Sequence, residues 1–410
     1  MQRDELAGWL RLTLASGVGN TAARKLLAAF GLPDAVFQQS LTALGQCVSK
    51  AQSQALLTVP EGLDALTQAT LDWLAASGRD GITRAVITLA DEHYPKALLA
   101  LDDPPLVLYM TGSRAVYRDL AAKTLANDIA IVGSRNPTPQ GSDNARSFAH
   151  SFAQAGLHVV SGLALGIDGA VHGGALDARE ASPATAGSTI AIVGTGLDRV
   201  YPKQHYELAH RIATHGVILS EFPIGTPPLS INFPKRNRII SALTQGTLVV
   251  EAALKSGSLI TARLAAEQGK DVFAIPGSIH STLSKGCHSL IKQGAKLVES
   301  AQDVFDELSH PISRQQPKPL EPSLWAEHTG SDEQGNAATE GLLSDDTPVV
   351  SQSVQEQVLS ALGYDPVSLD AMVARTGYAI AVLQAQLLEL ELLGDVVRLP
   401  GGLFQRHAQA

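Results

Sequence analysis

The stretch IAIVGSRNPTPQG at residues 129–141 decides the fold, because a short apolar run leads directly into a glycine and a polar turn. Such a run is typical of a strand buried on both faces of a parallel sheet. Six further runs alternate with helical stretches of ten or more residues: HVVSG 158–162, IAIVG 190–194, GVILS 216–220, TLVVE 247–251, DVFAI 271–275 and AKLV 295–298. This alternation predicts a doubly wound α/β domain, Rossmann-like and covering residues 81–309.

Three other segments surround this domain. Residues 1–80 contain Ala- and Leu-rich runs that predict a helical domain, and ASGVGNTAARKLLAAFG at 15–31 is typical of a helix-hairpin-helix. Residues 310–350 are rich in Pro, Gln, Ser, Gly and acids, which predicts a disordered linker. Residues 351–410 predict three helices and a hairpin that turns at Gly401–Gly402, and this combination indicates a winged-helix domain.

Composition excludes several classes of protein. The two cysteines, Cys47 and Cys287, are far apart and form no CxxC, so we expect neither a disulfide framework nor a zinc site, but a reducing cytoplasm. The N-terminal residues do not resemble a signal peptide, and no apolar run of about 18 residues predicts a membrane span. The net charge of -9 argues against sequence-blind coating of DNA. It leaves room for a local site, because salt screens surface fields beyond about 10 Å.

A basic and aromatic segment, INFPKRNRII at 231–240, stands out against this acidic background, with no acid between Gly225 and Ile240. A base stacked on Phe233 would contribute about 1–3 kcal/mol in a single-strand binder. Arg236 and Arg238 would neutralise phosphates or clamp the surrounding loops. The alternative for Phe233 is a core residue that plugs the loop.

Glycine-rich turns follow the predicted strands. In GSRNP, Gly133 permits a sharp turn that brings amides close to an anion, while Ser134 and Arg135 add a hydroxyl and a guanidinium. The alternative is a tight turn with a solvated arginine. A second turn, SGLALGIDGAVHGGAL at 161–176, surrounds a helix start, where free amides favour anions.

Further along the chain, Gly246–Thr247 and Ser256–Gly257–Ser258 are predicted to lie at the carboxyl edge of the sheet. Lys255 beside them is a phosphate contact or a solvated charge. Because such turns converge on one rim, the sequence predicts a site for an extended polyanion.

Several chemistries lack their motifs. GTGLDRVYP at 194–202 has Arg199 where a dinucleotide fingerprint needs its third glycine, and no P-loop motif occurs. Ser161, Asp168 and His172 lie within twelve residues without a nucleophile elbow, which disfavours a hydrolase triad. The histidines lack zinc-ligand spacing. We therefore expect no cofactor and no metal.

The central motifs together resemble the DNA-processing protein DprA (Smf) family. The segments that carry the resemblance are IAIVGSRNPTPQG, VVSGLALGIDGAVHGGAL, IAIVGTGLDRVYPKQHYEL, SEFPIGTPPLSINFPKRNRIISAL and LVVEAALKSGSLITARLAAEQGKDVFAIPG, with DEHYPKALLALDDPPLVLYMTG at 91–112 as a lead-in. The resemblance implies an extended Rossmann-like fold that binds single-stranded DNA, protects it during natural transformation and helps load the RecA recombinase. It implies a binding protein without a catalytic centre. It also implies an N-terminal domain of the SAM type, a C-terminal winged helix and a homodimer formed through the Rossmann-like domain.

The resemblance and the turns together give one set of candidate DNA-binding residues. They are Gly133, Ser134, Arg135, Ser161, Gly162, Gly166, Asp168, Lys203, Phe233, Lys235, Arg236, Asn237, Arg238, Lys255, Ser256 and Gly257. The rival hypothesis is an enzyme similar to the phosphoribohydrolases that cleave nucleoside monophosphates, because TQGTLVVE echoes their GG-x-GT…E pattern. Gln245 stands where that pattern has its second glycine.

The winged-helix domain carries the wrong charge for DNA. Its expected recognition helix, residues 379–393, contains Glu389 and Glu391 and no base, and residues 351–410 hold three bases and six acids. Carboxylates next to phosphates repel them, so the sequence predicts a role in protein contact or regulation rather than duplex binding.

Overall fold

The computed structural model describes residues 2–78, 82–122, 128–309, 354–399 and 401–406, and its largest element is a nine-stranded sheet. The strands are β1 (Thr83–Thr88), β2 (Val107–Gly112), β3 (Ile129–Val132), β4 (Val159–Ser161), β5 (Thr189–Ile192), β6 (Val217–Ser220), β7 (Gly246–Val249), β8 (Asp271–Ala274) and β9 (Lys296–Leu297). Strands β3 to β9 are the seven runs that the sequence predicts, and neighbours among them pair in parallel. The doubly wound α/β architecture is confirmed.

The order of the strands places a crevice beside β3. The sheet runs β1-β2-β6-β5-β4-β3-β7-β8-β9, so the chain builds outward from β3 to β6 and then returns to the other side of β3. Open α/β sheets bind ligands where the strand order reverses in this way, outside the carboxyl ends of the strands. The turns after β3, β4 and β5 all open at that edge.

Strands β1 and β2 were not predicted. They form an antiparallel pair, and β2 extends the sheet by pairing antiparallel with β6. β1 contains Thr83, Arg84 and Thr88, so it lacks the continuous apolar run that marked the parallel strands.

Helices cover both faces of the sheet. They are α7 (Arg114–Ala122), α8 (Pro139–Gln154), α9 (Ile167–Ala181), α10 (Tyr206–His215), α11 (Asn232–Ala242), α12 (Gly257–Glu267), α13 (Lys285–Lys292) and α14 (Ala301–Ser309). Alternate residues of β3 point to opposite faces: Ile129 and Ile131 enter one core, while Ala130 and Val132 enter the other. Both faces are therefore buried, which explains why the run is apolar throughout.

The N-terminal region is helical, as predicted. Its helices are α1 (Arg3–Leu14), α2 (Asn20–Phe30), α3 (Pro33–Phe37), α4 (Leu41–Leu44), α5 (Lys50–Leu57) and α6 (Leu63–Ala75). Gly17 adopts a φ of 73° in the hairpin between α1 and α2, a backbone conformation that favours glycine. Trp73 packs edge-on against Tyr109 of β2, with ring centroids 6.1 Å apart, and so joins these helices to the sheet.

The C-terminal region is the predicted winged helix. Its elements are α15 (Val354–Leu362), β10 (Val367–Ser368), α16 (Leu369–Thr376), α17 (Ile380–Leu393), β11 (Val396–Leu399) and β12 (Leu403–Arg406). The hairpin turns at Gly401 and Gly402, both with positive φ, and β10 adds a third strand beside β12. The linker predicted at 310–350 lies outside the described residues. None of the described helices has the length and apolar character that crossing a membrane requires.

Candidate nucleic-acid interface

The turns that follow β3, β4 and β5 at the carboxyl edge of the sheet are here called the rim. Glycines in the first two of these turns let them approach each other. A Cβ atom on Gly133 would lie 2.6 Å from Cγ1 of Ile167, at the start of α9. Gly166 has a φ of 80°, and its Cβ would lie 2.5 Å from the carbonyl oxygen of Ser134. A side chain at either position would push the two turns apart, so these glycines are required by packing.

The turn at residues 162–166, here called the β4 turn, is held by side chains of α9. One carboxylate oxygen of Asp168 accepts hydrogen bonds from the amides of Gly162 and Ala164, at 3.1 and 3.2 Å. The amide of Leu163, whose φ is 59°, donates to Nε2 of His172 at 3.2 Å. Such a φ is uncommon for leucine and persists only because the surrounding contacts fix it.

His172 performs this role as a neutral ring. Its Nε2 accepts from Leu163, so its Nδ1 carries the proton and donates to Thr189 Oγ1, 2.7 Å away. Burial lowers the pKa of His172 to about 3, with His205 and Arg236 acting in the same direction. A protonated ring would have no acceptor for Leu163, so the β4 turn depends on the neutral form.

The hydroxyl of Ser161 donates to the carbonyl of Ile131 at 2.7 Å. The side chains of Ser161, Asp168 and His172 are thus each hydrogen-bonded to the backbone or to Thr189. Ser161 and Asp168 were predicted to contact DNA. Both are buried, and their side chains hydrogen-bond to backbone groups of β3 and of the β4 turn.

Arg236 is the largest departure from the expected phosphate contacts. It lies on the inner side of α11, only 5% exposed, and its guanidinium donates to the carbonyls of Gly162 and Ile192. Burial lowers the pKa of Arg236 to about 10, although Asp168 opposes the shift, so the group stays charged at neutral pH. Of the two roles open in the sequence, the contacts support clamping of the loops.

Arg238 is likewise turned away from solvent. Its Nε donates to Asp103 at 2.8 Å, and its two terminal nitrogens reach the Glu221 carboxylate at 3.0 and 2.7 Å. Burial raises the pKa of Glu221, although the charge of Arg238 opposes the shift. The carbonyl of Asp103 also accepts from Asn20 at the start of α2, at 3.3 Å. Arg238 therefore fixes α11 to the sheet and, through Asp103, to the N-terminal helices.

Arg135 has the opposite environment. It is exposed, and its side chain makes no salt bridge or hydrogen bond with any described residue. Its guanidinium carbon lies 5.7 Å from the ring centroid of Phe233, which begins α11 together with Asn232. The negative face of an aromatic ring attracts a cation at this distance. The guanidinium keeps its hydrogen-bond donors available for an anion.

Arg135 and Phe233 border a cavity of about 70 Å³ between the turns. Its lining residues are Arg135, Gly162, Leu163, Ala164, Leu165, Val193, Gly194, Thr195, Tyr201, Pro202, Phe233 and Arg236. The amides of Gly194 and Thr195 donate to no protein acceptor within the described part of the chain. The wall thus combines aromatic surface, a cation and free amides.

Comparison with known proteins identifies the family of this chain. The family model described as DNA recombination-mediator protein A matches residues 85–309, and the model described as DprA winged helix domain matches residues 344–402. This chain belongs to the DNA recombination-mediator protein A family.

Relatives of this family cover most of the chain. Protein Smf of Escherichia coli (strain K12) is 37% identical over 318 residues, which make up 77% of this chain and 76% of that protein. DNA processing protein DprA of Streptococcus pneumoniae is 43% identical over 220 residues, or 54% and 73% of the two chains. The X-ray structure of DprA from Streptococcus pneumoniae matches with a TM-score of 0.60 and 35% identity, covering 75% of this chain and 98% of that one. The resemblance read from the sequence is confirmed.

Within this family domain, the remaining candidate residues lie around the rim rather than in the cavity. Lys203, Lys235 and Lys255 are exposed and form no salt bridge with described residues. Asn237 approaches the carbonyl of Gly257 at 3.5 Å, and Ser256 caps α12 by accepting from the amide of Ser258 at 3.3 Å. The structure therefore groups Arg135 and Phe233 tightly and places the lysines at the periphery.

Gly246 and Thr247 require a correction. They lie inside β7, at its amino end, where Gly246 packs against Phe273 and Thr247 is fully buried. They cannot form a turn at the carboxyl edge of the sheet, because they lie at the opposite, amino end of the strand. Only Glu251 and the start of α12 reach that edge.

Glu251 lies in a second cleft on the other side of β3. Its carboxylate accepts from the amide and the hydroxyl of Thr138, at 2.9 and 2.6 Å, and so holds the start of α8. Burial raises the pKa of Glu251. Among the described residues, no group of three His, Cys, Asp or Glu side chains is placed to hold a metal ion.

Sequence reasoning missed Tyr201 and Leu165, which line the cavity and are 38% and 39% exposed. The signal for Tyr201 was its place in GTGLDRVYP, a turn read only for a dinucleotide fingerprint. Leu165 carried no signal, since a leucine between two glycines in a turn has no recognised pattern.

Proposed function

We propose that this chain binds single-stranded DNA through the rim of its central sheet. The observation that carries the proposal is the grouping of an exposed, unpaired Arg135 with Phe233 around one cavity. A single strand offers both groups that this cavity suits: phosphates for the guanidinium and unstacked bases for the ring. A duplex keeps its bases stacked and would leave the aromatic surface unused.

The charge distribution supports a local site on an acidic body. The net charge is -9, but four exposed cations around the rim form no salt bridge with described residues: Arg135, Lys203, Lys235 and Lys255. Free cations can release the counterions of a nucleic acid, whereas arginines already paired with carboxylates cannot. Arg236 and Arg238 thus organise the site, and the exposed cations bind the strand.

The decisive experiment is a salt titration of binding to an oligodeoxythymidine and to a duplex of equal length. Tight, salt-dependent binding of the single strand alone supports the proposal. Arg135→Ala is expected to lower affinity about tenfold and to reduce the salt slope by about 0.7 for the lost phosphate contact. The matched control is Arg263→Ala, which removes an exposed arginine of α12 that is paired with Glu267. Equal effects of the two variants would refute the site.

We further propose that the bound strand is incoming DNA in natural transformation, which the protein protects and on which it helps to load RecA. The family resemblance supports this role, and the two free thiols, Cys47 and Cys287, are compatible with a reducing cytoplasm. Nuclease digestion of an oligonucleotide with wild type and Arg135→Ala tests protection. RecA filament formation on strands covered with single-strand-binding protein tests loading, and equal rates with and without the chain would contradict it.

We also propose that the Rossmann-like domain forms a homodimer. One rim covers few nucleotides, and two rims on one strand gain affinity through avidity. Sedimentation of the full chain with and without DNA measures this. A monomer mass at all concentrations would contradict it.

We propose finally that the chain acts by binding rather than catalysis. The side chains nearest the cavity that resemble catalytic groups are used to hold the β4 turn. Incubation with nucleoside monophosphates, followed by chromatography for free base, distinguishes this from a phosphoribohydrolase. Base release that is lost in Glu251→Gln would establish the enzyme instead.

A further inference from the structure

The rim cavity contains a second aromatic ring, which comes from the turn after β5. The ring centroid of Tyr201 lies 5.6 Å from that of Phe233, and the two planes are inclined by 32°. A residue of the turn after β5 and a residue at the start of α11 therefore form one aromatic pair.

The two rings differ in what they leave open to solvent. Phe233 is half-buried: Arg135 lies over its ring, and a Cβ on Gly194 would be 3.1 Å from its Cδ1. Tyr201 is 38% exposed, and its hydroxyl makes no hydrogen bond with the described residues. Tyr201 thus presents the larger free aromatic surface, while Phe233 supports it from within the protein.

We propose that Tyr201 is a base-stacking residue of this site. A nucleobase of the single strand packs on the exposed ring of Tyr201, Phe233 supports that ring, and Arg135 pairs with a neighbouring phosphate. The inference rests on the proposed strand-binding function and assigns its base contact to a residue outside the basic segment. Every base has a π face, so the contact is tolerant of sequence and demands an unstacked strand.

The test separates base contacts from phosphate contacts. Wild type, Tyr201→Ala and Tyr201→Phe are titrated with an oligodeoxythymidine and with an oligomer of equal length that carries abasic sites throughout. Tyr201→Ala should weaken binding of the first roughly five- to 150-fold, which corresponds to about 1–3 kcal/mol per stacked base. It should leave binding of the abasic oligomer and the salt slope unchanged. Tyr201→Phe should stay within about twofold of wild type, because stacking requires the ring and not the hydroxyl.

A matched control is Tyr206→Ala, which removes a more exposed aromatic ring from α10, outside the cavity lining. It should change neither titration. Unchanged thymidine binding by Tyr201→Ala, or an equal loss on both oligomers, overturns the inference while the proposed function stands. Failure of wild type to bind either oligomer overturns both. Equal thermal midpoints of the variants establish that a loss of binding is not a loss of folding.

Discussion

The rim of the central sheet and helix α17 of the winged-helix domain are the two places where the sequence predicts or tests a nucleic-acid contact, and their exposed charges have opposite signs. At the rim, buried Arg236 binds backbone carbonyls, half-buried Arg238 pairs with Glu221, and Arg135 is exposed without a salt bridge to the described residues. On α17, Leu388 and Leu392 are 58% and 81% exposed. The charged residues of α17 are Glu389 and Glu391, and both are exposed.

The comparison shows that the fold determines where a surface lies, whereas the charges of its side chains determine whether it can contact nucleic acid. A winged helix directs one helix outward, but acids on that helix repel phosphates at short range. Under the proposed function, an acidic α/β domain binds a strand through a local group of exposed cations, Arg135, Lys203, Lys235 and Lys255. The two arginines behind them are engaged within the protein, Arg238 with the Glu221 carboxylate and Arg236 with two backbone carbonyls.

The largest effect is expected from breaking the buried ion pairs behind the rim. Arg238→Ala leaves Glu221, whose side chain is 12% exposed, without its partner. Breaking such a pair should lower the free energy of unfolding by about 3–5 kcal/mol. Chemical denaturation measures this loss.

Arg199→Ala is the matched control for Arg238→Ala. It removes a salt bridge of equal length, 2.7 Å to Asp198, from an exposed position. Its cost should be about 0–1 kcal/mol. Similar losses in both variants would show that Arg238 is only a surface charge and would remove the distinction between organising and binding arginines.

The next effect concerns His172, which the rim requires in its neutral form. The pKa of His172 in the folded state is about 3, below that of an unfolded histidine near 6.5, so only the unfolded chain takes up this proton between these values. Stability is therefore full above about pH 6.5 and should fall by about 1.4 kcal/mol per pH unit below it.

Denaturation of wild type and His172→Asn between pH 7 and pH 5 measures this contribution as a difference in slope. Asparagine does not titrate, so the variant should be less stable at pH 7 and show a shallower decline. His210→Asn, an exposed position on α10, should keep the wild-type slope. Parallel slopes for wild type and His172→Asn would count against the neutral ring.

A smaller effect should appear when the charge of α17 is reversed. Glu389→Lys with Glu391→Lys turns repulsion from phosphates into attraction, so the full chain should gain duplex binding at low salt. Each new phosphate contact should add about 0.9 to the salt slope on duplex DNA. Leu392→Ser, which alters α17 without changing charge, is the control. No gain in duplex binding would mean that shape, and not charge, prevents groove entry.

The smallest effect is expected from deleting residues 311–410. The rim lies entirely within residues 128–309, so affinity for an oligodeoxythymidine should change by less than about twofold, well under 1.4 kcal/mol. Fluorescence anisotropy of the full and shortened chains tests this. A tenfold loss would place part of the strand site in the C-terminal region.

Sequence patterns predicted those parts of the molecule in which chemistry and burial coincide. All seven predicted parallel strands were found, and the five central ones, β3 to β7, are fully buried, which explains why their runs are apolar. For Arg236 the sequence left two roles open, a phosphate contact and a clamp for the loops, although helical spacing favours the second. Asn232, Arg236 and Ile239 recur every three to four residues and form the buried side of α11.

The place of Tyr201 in the cavity could not be predicted from the sequence. Its significance depends on Phe233, 32 residues away in sequence, and only the parallel order of β4, β5 and β6 brings the two turns together. The same holds for Asp103, whose bond to Arg238 crosses from the lead-in segment to α11.

The β4 turn, with its amides bound by Asp168 and His172 and its carbonyl by Arg236, has a kinetic consequence. A loop already ordered before the strand arrives is preorganised, so association does not wait for a conformational change in the protein. The entropy lost on binding then falls mainly on the flexible strand. Encounter rates should follow diffusion and ionic strength, and differences in affinity among variants should appear chiefly in how long the strand stays bound.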